Sequence, residues 1–243
     1  MLRCGFPSGH LSVIHGSRAI FDLSLLAVVR SQMSDTLRGA VFVDGANSFN
    51  PYVVSTMART HGLDSEEILR EVLVSRAFTA FQLQTLISER LELAVREHKA
   101  RLVVISDLPA LYFDSEVKPS ETIRLFNLAV NKLANLASKY NLVTIATASN
   151  QDWIRRKRVI LELLFKRADV LLKVEEKPKT AKFILQKHPR AKAPQAVEVA
   201  LNLASQTILE EFMEANLKWV EQFRRFAQWL KWKWKSGRSF AGR

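Results

Sequence analysis

The stretch GHLSVIHGSRAIFDLSLLAVV, Gly9–Val29, decides how the chain is read. Leu11 to His15 is an apolar run of strand length, Gly16 is a turn signal, and the long apolar run from Phe21 suits a buried helix. Strand, tight turn and helix in that order is the layout of a phosphate-binding loop. Its chemistry is missing. Such a loop needs glycines so that backbone N–H groups wrap the phosphates, a lysine for the β- and γ-phosphate charge, and a Ser or Thr for magnesium. Counted from Gly16, the second glycine falls on Phe21, the lysine on Asp22 and the hydroxyl on Leu23, and the first lysine of the chain is Lys99.

Outward from this stretch, short apolar runs alternate with longer amphipathic ones, the pattern of a mostly parallel sheet flanked by helices. Strands are expected at 11–15, 40–44, 72–75, 102–106 and 142–147, with helices over 20–34, 50–61, 79–98 and 119–140. Ser120 is read as the N-cap of the last of these. A basic helix over 155–167 follows, then three strands at 169–175, 181–187 and 197–203, expected to extend the sheet in antiparallel fashion. Glu175 to Lys179 reads as the hairpin turn between the first two. From Thr207 the capping-box pattern Thr207-Ile208-Leu209-Glu210 opens a long helix. The division expected is a core domain over 1–204 and a basic, Trp-rich helix and tail over 205–243.

With 243 residues and 48% hydrophobic content, the chain has material for one sizeable core. Its formal net charge of +12 is uneven: residues 1–150 carry 15 basic and 14 acidic side chains, residues 151–243 carry 21 and 10. That excess points to a polyanionic partner, nucleic acid before membrane. Cys4 is the only cysteine, which excludes a disulfide framework and a cysteine zinc site and suits a reducing, cytoplasmic location. The N-terminus has too short an apolar run for a signal peptide, and no stretch has the length of a membrane span. Histidines 10, 15, 61, 98 and 188 never fall at i, i+4, so they are read as structural or surface residues and no metal site is expected.

Several segments, in order, resemble the ATPase core of the RecA/RadA recombinase superfamily in its archaeal RadA/RadB branch. Gly5 to Leu11 resembles the Gly-rich lead into the first strand. Val41 to Asp44 with Asn47-Ser48-Phe49-Asn50-Pro51 resembles the second strand and its turn. Gly62-Leu63-Asp64 with Val74 to Phe78 resembles the "GLD…ARAF" stretch. Leu102 to Tyr112 resembles the Walker B strand, Thr147 to Gln151 the strand ending in Asn-Gln, and Lys187-His188-Pro189 the closing hairpin. The resemblance covers about residues 5–203 and implies a RecA-like fold.

The departures fall on the chemistry. Besides Phe21, Asp22 and Leu23, the family's catalytic glutamate falls on Ala46 and its Walker B aspartate on Ser106, with Asp107 one place late. Phosphoryl transfer is positioning plus charge stabilisation, and these losses remove both, so no catalysis and no nucleotide cofactor are expected. The resemblance starts at the core, without the preceding helical domain and polymerisation segment, so filament formation is not expected. Asp44, Asp107 and Gln151 sit at strand ends and are read mainly as polar caps.

Arg155-Arg156-Lys157-Arg158 falls where recombinases place a DNA-contacting loop. It reads either as a phosphate contact or as a helix start paired with carboxylates such as Asp152 and Glu162. Trp229, Lys231, Trp232, Lys233, Trp234 and Lys235 alternate aromatic and basic residues, which suits base stacking, docking on a partner, packing on the domain itself or, last, an interfacial amphipathic helix at a membrane. The expected function is that of a non-catalytic RecA-like accessory or mediator in homologous recombination or repair. Its partners would be DNA and a recombinase or other repair protein. The alternative is a nucleotide-responsive RecA-family ATPase, or a KaiC-like regulator, completed by a partner subunit.

Overall fold

A computed structural model describes residues 6–33, 39–113, 118–149, 155–178 and 180–200. They form an eight-stranded sheet in the order β3-β2-β4-β5-β1-β6-β7-β8. The strands are β1 (His10–Gly16), β2 (Ala40–Asp44), β3 (Val72–Arg76), β4 (Leu102–Ser106), β5 (Val143–Ser149), β6 (Val170–Glu176), β7 (Thr180–Lys187) and β8 (Gln195–Ala200). The helices are α1 (Ala19–Ser31), α2 (Pro51–Thr60), α3 (Ser65–Arg70), α4 (Ala80–Thr85), α5 (Leu91–Glu97), α6 (Pro119–Tyr140) and α7 (Arg155–Arg167). A π turn, Leu86–Arg90, joins α4 to α5, and a 3-10 turn, Ala110–Phe113, follows β4.

Strand alternation sorts the core into two layers. Ala40 and Phe42 of β2, Leu102 and Val104 of β4, and Val143 and Ile145 of β5 pack towards α1, α2 and α3. Val41 and Val43, Val103 and Ile105, and Ala146 and Ala148 pack towards α4, α5, α6 and α7. Because both faces are covered, β2 and β4 are buried along their whole length, which is why they read as unbroken apolar runs. Helix α1 is buried at ten of its thirteen residues, as a helix apolar on all sides must be.

The fold is the α/β, RecA-like, mostly parallel sheet that the sequence implies, with two local corrections. Strand β6 runs parallel to β1, with Ser12 beside Val170 and Gly16 beside Val174; the β6–β7 and β7–β8 pairings are antiparallel, so β7 alone among the eight strands runs against the others. The thirteen-residue α7 supplies the long crossover that a parallel return requires. Ser120 is not the cap of α6: Lys118 takes that position with extended backbone and makes no side-chain cap, because Pro119 occupies the first helical position. The expected helix over 79–98 runs without interruption from Ala80 to Glu97, with the π turn inside it, and α3, capped by Asp64, is a further short helix between α2 and β3. The expected helix from Thr207 and the 205–243 segment lie outside the described residues.

Candidate functional site

The β1–α1 connection is two residues long, Ser17 and Arg18. Gly16 has φ 129°, and a Cβ there would meet the Val174 carbonyl oxygen at 1.9 Å, so the glycine serves the close approach of β6. Ser17 N–H donates to that same carbonyl at 2.9 Å. Ile20 N–H donates to Ser17 O and Phe21 N–H to Arg18 O, both at 3.1 Å, so the first turn of α1 closes on itself. Phe21, Asp22 and Leu23 lie within this first turn. Phe21 packs against the core, Leu23 is buried, and Asp22 sets a carboxylate at the positive end of the helix, where an anion would otherwise be attracted.

At the neighbouring strand ends the carboxylates turn into the wall. Buried Asp44 accepts from Ser48 N–H at 2.9 Å and Phe49 N–H at 3.0 Å, and its Oδ2 lies 3.5 Å from Arg76 Nε. The turn that brings those amides round passes through Asn47 at φ 52°. Ala46 places a methyl group in this turn, with no proton acceptor on its side chain. Ser106 is fully buried and its hydroxyl lies 2.5 Å from that of Ser48. Asp107 leaves the strand at φ 46°, donates its N–H to Thr147 Oγ1 at 2.8 Å, and accepts from Ser149 N–H and Oγ at 3.0 and 2.5 Å. Both carboxylates thereby hold loops to the sheet.

Above these residues lies a cleft of about 480 Å³ at the carboxyl ends of the parallel strands. Gly16, Arg18 and Phe21 form one side, Arg76, Ala77 and Phe78 the other, with Ala46, Asp107 and Leu111 between. Among the described residues the exposed Arg18 side chain makes no hydrogen bond or ion pair, and Phe78 is 69% exposed. Arg18, Arg76 and Phe78 were not singled out as site residues from the sequence; Arg76 and Phe78 fall in the stretch that resembles "ARAF", and Arg18 carries no signal beyond its place two residues after a strand. Among the described residues no three His, Cys, Asp or Glu side chains are placed to hold a metal ion, and no helix is long and apolar enough to cross a membrane.

The other sequence candidates separate. Gln151 lies outside the described residues, as do Trp229, Lys231, Trp232, Lys233, Trp234 and Lys235. Arg155, Arg156 and Lys157 form the start of α7. Arg158 is exposed and its Nε donates to Glu162 at 2.9 Å, one turn on. His15, read only as structural or surface, is 5% exposed: its Nε2 lies 2.6 Å from Gln186 Oε1 and its ring 4.5 Å from that of Phe165. Burial pushes its pKa below the ordinary histidine value, against the Gln186 hydrogen bond and with help from Lys173.

A sequence model of the Rad51 family matches residues 4–154, which takes in β1 to β5 and every strand end that lines the cleft. Over 152 residues the chain is 28% identical to the DNA repair and recombination protein RadA of Methanococcus maripaludis strain C5. That match covers 58% of this chain and 46% of the relative, so the chain spans less than half the relative's length.

Proposed function

The chain belongs to the Rad51 family, within the RecA/RadA superfamily, and from that membership we propose that it serves DNA recombination or repair by binding rather than by hydrolysing ATP. One observation carries the reading: the β1–α1 connection has two residues, and its Ser17 N–H is bonded to Val174 O. A phosphate loop works through several free N–H groups converging on the anion, with a lysine beside them. Here the connection is too short to encircle a phosphate, and α1 begins with Ala19 where the loop would still be turning. The methyl of Ala46 and the buried hydroxyl of Ser106 add to this, since water activation and magnesium binding both call for carboxylates there.

The sheet around this position is complete and well packed, which suits a scaffold that presents surfaces. The proposed partners are DNA and a recombinase or other repair protein. Arg155, Arg156, Lys157 and Arg158, together with the Trp229 to Lys235 end, are the proposed contacts. Equilibrium binding of a fluorescent ATP analogue with magnesium, beside a phosphate-release assay at micromolar protein, tests the reading. No saturable binding and no release above buffer is expected. Turnover, alone or on adding DNA, would overturn it and favour an ATPase completed by a partner.

A further inference from the structure

The cleft at the carboxyl ends of the strands keeps its shape while its acidic groups are withdrawn into the wall. Asp44 is taken by Ser48, Phe49 and Arg76, and Asp107 by Ser149. The charge left facing solvent is cationic. Among the described residues the exposed Arg18 side chain makes no hydrogen bond or ion pair, and Arg76 is held by contacts of 3.4 and 3.5 Å, so most of its guanidinium N–H groups remain available.

Arg76 ends β3 and Arg18 lies two residues beyond β1; these strands are four places apart in the sheet, a backbone separation of about 19 Å at the usual strand spacing. An extended chain of about six residues spans that separation. Between the arginines the cleft offers Phe21, Leu111 and the exposed ring of Phe78, which suit apolar side chains.

We propose that this cleft docks an extended segment of a partner protein, with acidic side chains about six residues apart, on one face of the extended chain, engaging Arg18 and Arg76 and an apolar residue set between them against Phe78. Arginine forks pair with carboxylates in two parallel hydrogen bonds, so each end fixes orientation as well as charge. The inference rests on the non-hydrolysing reading, because it gives the cleft to protein instead of nucleotide.

The test is selection of displayed random octapeptides on the full chain, followed by anisotropy titration of the enriched peptides after labelling. Enriched peptides are expected to carry two Asp or Glu residues at that separation. Their Kd should rise tenfold or more in Arg18→Glu, a change expected to leave the fold intact because the side chain is exposed and makes no hydrogen bond or ion pair among the described residues. Arg190→Glu makes the same charge change on the exposed β7–β8 connection, at the opposite end of the sheet, and should alter Kd less than twofold. No enrichment, enrichment without acidic residues, or equal losses in the two variants would overturn the proposal. Displacement of the peptide by magnesium-ATP would overturn it as well. Hydrolysis of ATP without displacement would remove only the reading on which it rests.

Discussion

Ser17 N–H and Val174 O meet at 2.9 Å, a hydrogen bond that ties the end of β1 to β6 at the point where the family's nucleotide loop would depart. The same carbonyl lies where a Cβ on Gly16 would have to go. The glycine and the amide, two features that resemble a phosphate loop in the sequence, are thus both used to pack one strand against the next. The loop's position has become part of the sheet.

Gly16→Ala is accordingly expected to destabilise the fold. A Cβ at 1.9 Å from a backbone oxygen, on a residue with φ 129°, combines overpacking with backbone strain. Together they cost about 2–5 kcal/mol. Urea unfolding followed by circular dichroism reads this as a lower midpoint. A midpoint within error of the parent would show that β6 can move away and that the site is looser than described.

Asp44 offers a sharper separation of structure from catalysis. Its carboxylate satisfies two backbone amides of the 45–49 turn from a fully buried position. Asp44→Ala leaves those donors unmet at a cost of about 2–4 kcal/mol, while Asp44→Asn keeps one acceptor and costs less. If Asp44 served chemistry instead, both variants would keep the parent's unfolding midpoint.

Much of this architecture is legible in the residues because β2 and β4 are apolar on both faces and α6 is amphipathic between a proline and an Asn in the left-handed conformation. The direction of β6 is not legible. Its alternation of buried and half-buried residues is what an antiparallel edge strand would also show, and only the crossover through α7 decides between them. The cleft's cations escape for a different reason. Arg18 and Arg76 are far apart in sequence and share a site only because the sheet order places β2, β4 and β5 between them.

The link between α5 and α6 is expected to weaken in acid. Glu92 accepts from Lys132 and Lys139, each at 2.7 Å, and from Tyr140 OH at 2.8 Å, and these donors hold its pKa at about 2. Unfolded, it titrates at the ordinary value of 4.5. Its contribution is therefore complete above that value and is lost as pH falls from 4.5 towards about 2. Glu92→Gln should lower the unfolding midpoint relative to the parent at pH 7, with the gap narrowing by pH 3 and closing towards about pH 2. A gap that stays constant would assign the effect to packing.

His15 adds a second acid-sensitive point at a higher pH. Its folded pKa lies below the ordinary histidine value of 6.5, so the unfolded chain takes up the proton first. Stability from the neutral ring is present above pH 6.5 and falls as pH drops through the window below it. His15→Asn should flatten the dependence of unfolding free energy on pH between 7 and 5. An unchanged slope would show that the His15 ring does not set it.

The Trp-rich end should govern DNA affinity more than the start of α7 does. Truncation after Asn216 removes eight Lys and Arg residues and all the tryptophans from Trp219 on, whereas Arg158 is already shared with Glu162. Each phosphate contact contributes about 0.9 to the slope of log K against log salt, so a tail making four contacts would take about 3.6 from that slope when removed. Stacking by tryptophans adds about 1–3 kcal/mol per unpaired base, which favours single-stranded over double-stranded DNA. Anisotropy titrations of both DNA forms at several salt concentrations, with and without magnesium-ATP, measure the two effects separately. A truncated chain that keeps the parent's slope and strand preference would place the DNA contact on the core, with Arg155, Arg156 and Lys157 the next residues to neutralise.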